Sequence, residues 1–365
     1  MKTNAIRLLI AVLFFNIIQL TVCNAQSSKI LILGDIHYDL ADDHDMTWLK
    51  SKPDDIRQIK EYTGNTDKNW KDFMQIIRSA ATKKGDTAAL ILQLGDLSEG
   101  LAGTPSKARD MASHVMAAIE DAHTRAPWLL VKGNHDITGP GAPDAFMEYY
   151  IPMIRKQTKD NKIKSANYSY LSGNVQIICL DPWDKSVDIA EFLDKELSGS
   201  KAAVKIIAIH EPVIPVTERC WHVLRNEPER RQKLLNVIAK NKAIVLCGHL
   251  HKYSVVKRNT DYGSIVQIMA ISVVSDRNYL VPRNVITQYG PSLVDNVPDW
   301  EPATANQRKA WLSEESKYVT FYKQTDLPGY GILRIDASGK SIILEYYAAF
   351  GSKPYDIINI SELMK

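Results

Sequence analysis

Five short motifs hold the residues best able to do chemistry, and each closes an apolar run: Asp35-Ile36-His37, Gly95-Asp96, Gly133-Asn134-His135-Asp136, His210 and Gly248-His249-Leu250-His251. They offer the Asp35 and Asp96 carboxylates, the Asn134 amide and at least four imidazoles. That is the inventory of a site for two hard-to-borderline metal ions. The chemistry it predicts is metal-assisted hydrolysis.

Such a site needs strands to present it. Aliphatic runs of strand length recur at Lys29–Leu33, Ala88–Leu94, Trp128–Lys132, Val175–Leu180, Val204–Ile209 and Ala243–Cys247. Amphipathic stretches at Asn69–Ala81, Ser106–Arg125, Ile189–Leu197 and Glu227–Ala239 read as helices between them. Strands alternating with helices predict an α/β sheet. Loops beyond the carboxyl ends of such strands converge on one edge, so all five motifs should meet there. After His251, further strands are expected at Tyr253–Lys257, Ser264–Val274, Val319–Tyr322, Gly331–Ile335 and Ile342–Tyr347. Residues 38–68 and 276–317 read as insertions in one domain spanning 26–365.

The ordered set D-x-H, G-D, G-N-H-D, H and G-H-x-H resembles the calcineurin-like metallophosphoesterase superfamily over roughly residues 29–251. The resemblance implies a four-layer α/β/β/α sandwich, two mixed sheets flanked by helices. It also implies two divalent metal ions, Mn, Fe, Zn or similar. The first would be held by Asp35, His37, Asp96 and His251, and the second by Asp96, Asn134, His210 and His249. A bridging hydroxide would attack phosphorus, and His135 would protonate the leaving oxygen or stabilise the phosphoryl charge. Asp136, beside His135, is expected to orient that ring and keep it cationic. Purple acid phosphatases differ in having glycine at the His37 position and a tyrosine ligand in the second motif. Lipid A precursor hydrolases of the superfamily have arginine at the His135 position. What remains resembles the branch that cleaves cyclic nucleotides and glycerophosphodiesters, along with many broad phosphatases. The expected substrate is therefore a small phosphate ester, with diesters favoured. Alternatives are a phosphomonoesterase for nucleotides or sugar phosphates, or a metal-stabilised binding module without turnover.

At 365 residues, with 45% apolar and 24% charged, the composition is that of a globular protein. Lys2, the apolar stretch from Leu8 to Leu20 and the small residues up to Ala25 read as a signal peptide over 1–25, so the protein is expected to be exported, periplasmic or secreted. The apolar run is short for a membrane span. A lipid anchor at Cys23 is a rival reading, which the bulky Val22 disfavours. Removing Lys2 and Arg7 takes the formal charge from +3 to about +1, which argues against a nucleic-acid partner.

Elsewhere the bland reading is preferred. His114 and His123 read as helix-surface or packed histidines, and His222 as packed rather than lining the rim. His44 with its neighbouring aspartates reads as an exposed acidic loop, and Lys50–Lys60 as a solvated mixed-charge face. Glu99 is expected to support a ligand or its loop. Arg277, Arg283 and Tyr289 are assigned structural roles, and a Cys179–Cys220 disulfide is left open.

Overall fold

The computed structural model describes residues 27–365, so the signal-peptide reading and Cys23 lie outside the described residues. Fourteen strands form two mixed sheets among them. In chain order they are β1 Ser28–Leu33, β2 Leu90–Gln93, β3 Trp128–Leu130, β4 Tyr168–Ser172, β5 Val175–Leu180, β6 Val204–Ile209 and β7 Ile244–Cys247. There follow β8 Tyr253–Thr260, β9 Gly263–Met269, β10 Val285–Ile286, β11 Val319–Thr325, β12 Gly329–Ile335, β13 Ile342–Ala348 and β14 Asp356–Asn359. One sheet has the order β14-β13-β12-β1-β2-β3, the other β10-β11-β8-β9-β7-β6-β5-β4.

The six long helices are α1 Pro53–Thr82, α2 Pro105–Asp121, α3 Ile151–Thr158, α4 Ile189–Ser198, α5 Pro228–Lys240 and α6 Ala305–Glu315. The period-two alternation of the second sheet assigns its faces. Ile177, Cys179, Ile206, Ala208, Ile244 and Leu246 join one core with the first sheet, α1 and α2. Their neighbours Ile178, Leu180, Ile207, Ile209, Val245 and Cys247 join a second core with α4 and α5. Two sheets face to face with helices outside each is the expected four-layer sandwich. No helix among the described residues is long and apolar enough to cross a membrane.

Several expected boundaries move. The helix expected from Asn69 starts at Pro53, so residue 68 lies inside α1 and the first insertion is half helix. Pro53 at the first helical position suits that start. Strand β9 stops at Met269 rather than Val274, and β4, β14 and α3 carry no expectation from the sequence. The acidic loop after His37 is exposed only in part: Asp42 faces solvent, but Asp39, Asp43 and His44 are buried, with Asp39 bound to His44 Nε2 at 2.7 Å and Asp43 to His114 Nδ1 at 2.8 Å. Cys179, Cys220 and Cys247 are all buried free thiols, which closes the disulfide question.

Candidate metal centre

Asp35 and His37 follow β1, Asp96 follows β2, and Asn134, His135 and Asp136 follow β3. His210 follows β6, while His249 and His251 follow β7. The first two loops continue the strand pairing past the sheet edge. Asp35 N–H donates to Gly95 O at 3.1 Å and His37 N–H to Asp96 O at 2.9 Å. Across to the other sheet, Gly248 N–H donates to His210 O at 3.0 Å. The motifs therefore meet along the seam between the sheets, four of the seven expected ligands from one side and three from the other.

Holding them there requires unusual backbone. Asp35, His37, Asp96, His249 and His251 all have φ between 48° and 79°. Non-glycine residues avoid this left-handed region, which costs on the order of 1–3 kcal/mol each and concentrates at functional sites. The adjoining glycines leave space for ligands. A Cβ on Gly95, whose φ is 98°, would lie 2.4 Å from His210 Nδ1, and one on Gly248 would lie 2.6 Å from Asp35 Oδ2.

Three donor sets converge: Asp35, His37 and His251; His37, Asp96 and His135; and Asp96, His210 and His249, each with ligand atoms within 4.8 Å of one another. His37 Nε2 stands 3.1 Å from His251 Nε2 and 3.9 Å from Asp96 Oδ2, and His251 Nε2 is 3.6 Å from Asp35 Oδ1. His210 Nε2 faces Asp96 Oδ2 at 3.1 Å and Asn134 Oδ1 at 3.2 Å.

These residues fit cations. Asp35 Oδ2 is buried without a hydrogen-bond partner, and a buried carboxylate oxygen needs one. Burial, followed by neighbouring imidazoles, holds His37, His249 and His251 well below the ordinary histidine pKa, in the neutral form that ligates. For His210 burial acts downward, but the Asp96 carboxylate outweighs it and raises the pKa to about 10. The Asp96 carboxylate thus favours positive charge beside it.

Two of the imidazoles, His37 and His210, are held from behind. His37 Nδ1 binds Glu99 Oε2 at 2.7 Å, and Gln58 from α1 donates to Glu99 Oε1 at 2.6 Å. A carboxylate on the far nitrogen directs the other nitrogen at a metal and raises its basicity. His210 Nδ1 donates to Leu94 O at 2.8 Å, with the same effect. The Tyr62 ring, also from α1, stacks on His37 at 4.2 Å with 5° between planes.

Asp136 does something other than expected. Its Oδ2 accepts from Asp96 N and Gly133 N, and its Oδ1 from Leu97 N, Ser98 N and Ser98 Oγ, all at 2.9–3.2 Å. It ties the β2 and β3 loops together and is turned away from the His135 ring by the short helical turn His135–Ile137. Glu99 orients His135 instead, with its backbone O 2.8 Å and its Oε2 3.5 Å from His135 Nδ1. Burial lowers the His135 pKa, but Asp96 and then Glu99 outweigh it, so the net shift is upward.

Of the other sequence readings, His222 is buried against Trp311 and bonded to Cys220 O. Arg277 reaches Asn69 and Asp72, and Tyr289 donates to Pro215 O, both structural. Sequence reasoning missed Gln58, Tyr62, Trp183 and Trp221. Trp183 lies 6.0 Å from the His210 ring and Trp221 5.5 Å from the His249 ring. For Gln58 and Tyr62 the available signal was the apolar spacing Ile56, Ile59, Tyr62, which points to a helix running on into 69–81.

The family model for calcineurin-like phosphoesterases matches residues 28–253, more than half the chain. The chain belongs to that family. Members of this phosphoesterase family use two divalent metals, and the Asp and His clusters supply ligands for them. The fold is similar to that in the structure of PhoD, at 12% identity and a TM-score of 0.51 over 92% of this chain and 69% of that one. It is also similar to a dimetal phosphatase from Danio rerio, at 10% identity and 0.51 over 91% and 98%. A third similar structure is GAP50, described as the anchor in the inner membrane complex of Plasmodium, at 11% identity and 0.50 over 92% and 88%. No curated protein matches the chain.

Proposed function

We propose that this phosphoesterase is an exported hydrolase of phosphodiesters that transfers the phosphoryl group directly to water. Asp35, His37, Asp96 and His251 would hold one divalent ion, and Asp96, Asn134, His210 and His249 the other. When bound, such ions supply Lewis acidity and bring the pKa of a coordinated water down to about 7. The residues supply the rest. Glu99 and Leu94 O fix the rings of His37 and His210 so that Nε2 of each points inward. His135, held at Nδ1 by Glu99, presents its Nε2 edge as the group that delivers a proton to the departing oxygen. A covalent phosphoenzyme is not part of the scheme, since the motifs contain no serine or cysteine and Cys179, Cys220 and Cys247 are buried.

One observation supports the diester preference. Trp183 beside His210 and Trp221 beside His249 put an indole near two different ligands of the centre. A diester has two organic substituents to pack, whereas a monoester has one. The export reading rests on the N-terminal sequence alone and predicts a mature chain starting at Gln26.

The deciding assay is hydrolysis of bis(p-nitrophenyl) phosphate against p-nitrophenyl phosphate by the Mn-reconstituted protein. A higher kcat/KM for the diester is expected. A higher value for the monoester would make the protein a phosphatase, and turnover of neither would overturn the hydrolase reading.

A further inference from the structure

Arg219 stands out among the arginines near the centre. Arg225 pairs with Glu211, Arg231 and Arg258 pair with Glu315, and Arg308 is saturated by backbone carbonyls. The Arg219 guanidinium has no protein acceptor among the described residues; the hydrogen bond Arg219 does make, to Thr217 Oγ1, is from its backbone. It is nevertheless firmly placed. Its Cζ lies 5.4 Å from the ring centres of both Trp221 and Trp300. Trp221 in turn lies against the ring of His249. Contact with π faces fixes the plane of a guanidinium and leaves its in-plane donors open.

The scaffold beneath is built for this. Arg308 of α6, buried to 2% exposure, donates to Glu218 O and to Trp300 O, and packs over the Trp300 ring at 4.7 Å. It therefore holds the residue before Arg219 and one of the two indoles with the same side chain. Thr217, two residues before, and Cys220, directly after, have φ of 63° and 55°, so the backbone kinks on both sides of the half-buried Arg219.

We propose that Arg219, resting on Trp221 and Trp300, binds a second anionic group carried by one organic substituent of the substrate. A planar fork with free donors on an apolar shelf suits a carboxylate or phosphate bound in bidentate fashion. The substrate class is thus narrowed to phosphoric esters with an acidic substituent a few bonds from the scissile phosphorus. This rests on the hydrolase reading above and deepens it.

The test compares matched esters with and without that group: 4-nitrophenyl phenyl phosphate against 4-nitrophenyl 3-carboxyphenyl phosphate, and the corresponding monoesters phenyl phosphate and 3-carboxyphenyl phosphate. The wild-type protein should favour the carboxylated member by kcat/KM about tenfold or more, the expected scale for a hydrogen bond to a charged group. Arg219→Met should bring that ratio close to one, and Trp300→Ala should reduce it. The ratio is internal, so a variant merely damaged in its fold loses both rates together and keeps the ratio. A wild-type ratio near one, or a ratio unchanged in Arg219→Met, overturns the proposal. If no ester turns over, the hydrolase reading fails instead. Calorimetry of phenylphosphonate and 3-carboxyphenylphosphonate with the Mn-loaded protein then decides the subsite by the same ratio of affinities.

Discussion

Asp96 is the residue on which the two halves of the centre depend. Its Oδ2 reaches toward both His210 and His37, and its Oδ1 accepts from His135 N–H at 2.8 Å. Asp96→Asn keeps the shape but cannot neutralise two cations, so metal content and nearly all activity should be lost together. His135→Ala should keep its metal, read by elemental analysis, and lose about 10²–10⁴ in rate. Metal loss in His135→Ala would show that His135 is a ligand. Glu99→Gln weakens the acceptor behind His37 and should lower metal affinity about 10–100-fold in a chelator competition. The clustering of the candidate ligands was legible because their residue types and order leave few readings. Glu99 was legible as support for a ligand or its loop, and it backs His37; its hold on His135 and the role of Asp136 were not, because adjacency in sequence says little about which way a side chain leaves a tight turn.

At the scale of elements, helix α1 shows how local signals mislead. Gly64 sits in its middle, and glycine costs about 1 kcal/mol in a helix interior. The charges before it then read as a solvated stretch. Tertiary contacts override that penalty: Ile59 and Tyr62 are buried, and Tyr62 lies on His37. The element that looked like an insertion thus supports a candidate metal ligand. The loops after β2 and β3 make the converse point, since one carboxylate, Asp136, satisfies donors from both. In Asp136→Asn an amide N–H must face backbone N–H groups in a buried site. The expected cost is about 2–3 kcal/mol in urea denaturation, with no requirement that His135 change its ionisation. A variant as stable as the wild type would show that Asp136 does not tie these loops.

Across the whole molecule, the α/β class and the strands of the motifs were legible from periodicity, whereas sheet order was not. Nothing in an apolar run says that β1 lies between β12 and β2. Stability should carry a signature of the second core. His222 is buried there, and burial, then the Arg231 charge, lowers its pKa to about 3, while Glu315 and the Cys220 carbonyl pull it upward and Arg225 downward. Above pH 6.5 neither the folded nor the unfolded chain protonates it, and it contributes no slope. Below that, the unfolded chain takes a proton that the folded one refuses, and stability falls as pH drops toward 3. Between pH 7 and pH 5 the wild type should lose about 2 kcal/mol more than His222→Gln, read from paired urea midpoints. Equal losses would mean that His222 is free to charge in the native state.

The pairing of β1 with β12, Ser28 opposite Ile335, also orders events during synthesis. Among the described strands, the one that leads to Asp35 and His37 is made first, yet one of its flanks stays open until β12 appears. His210, His249 and His251 also come well after it. A nascent chain therefore cannot assemble the ion-holding loops piece by piece. Both expected ligand sets draw on His249 or His251, so neither is complete until that stretch of chain has been made.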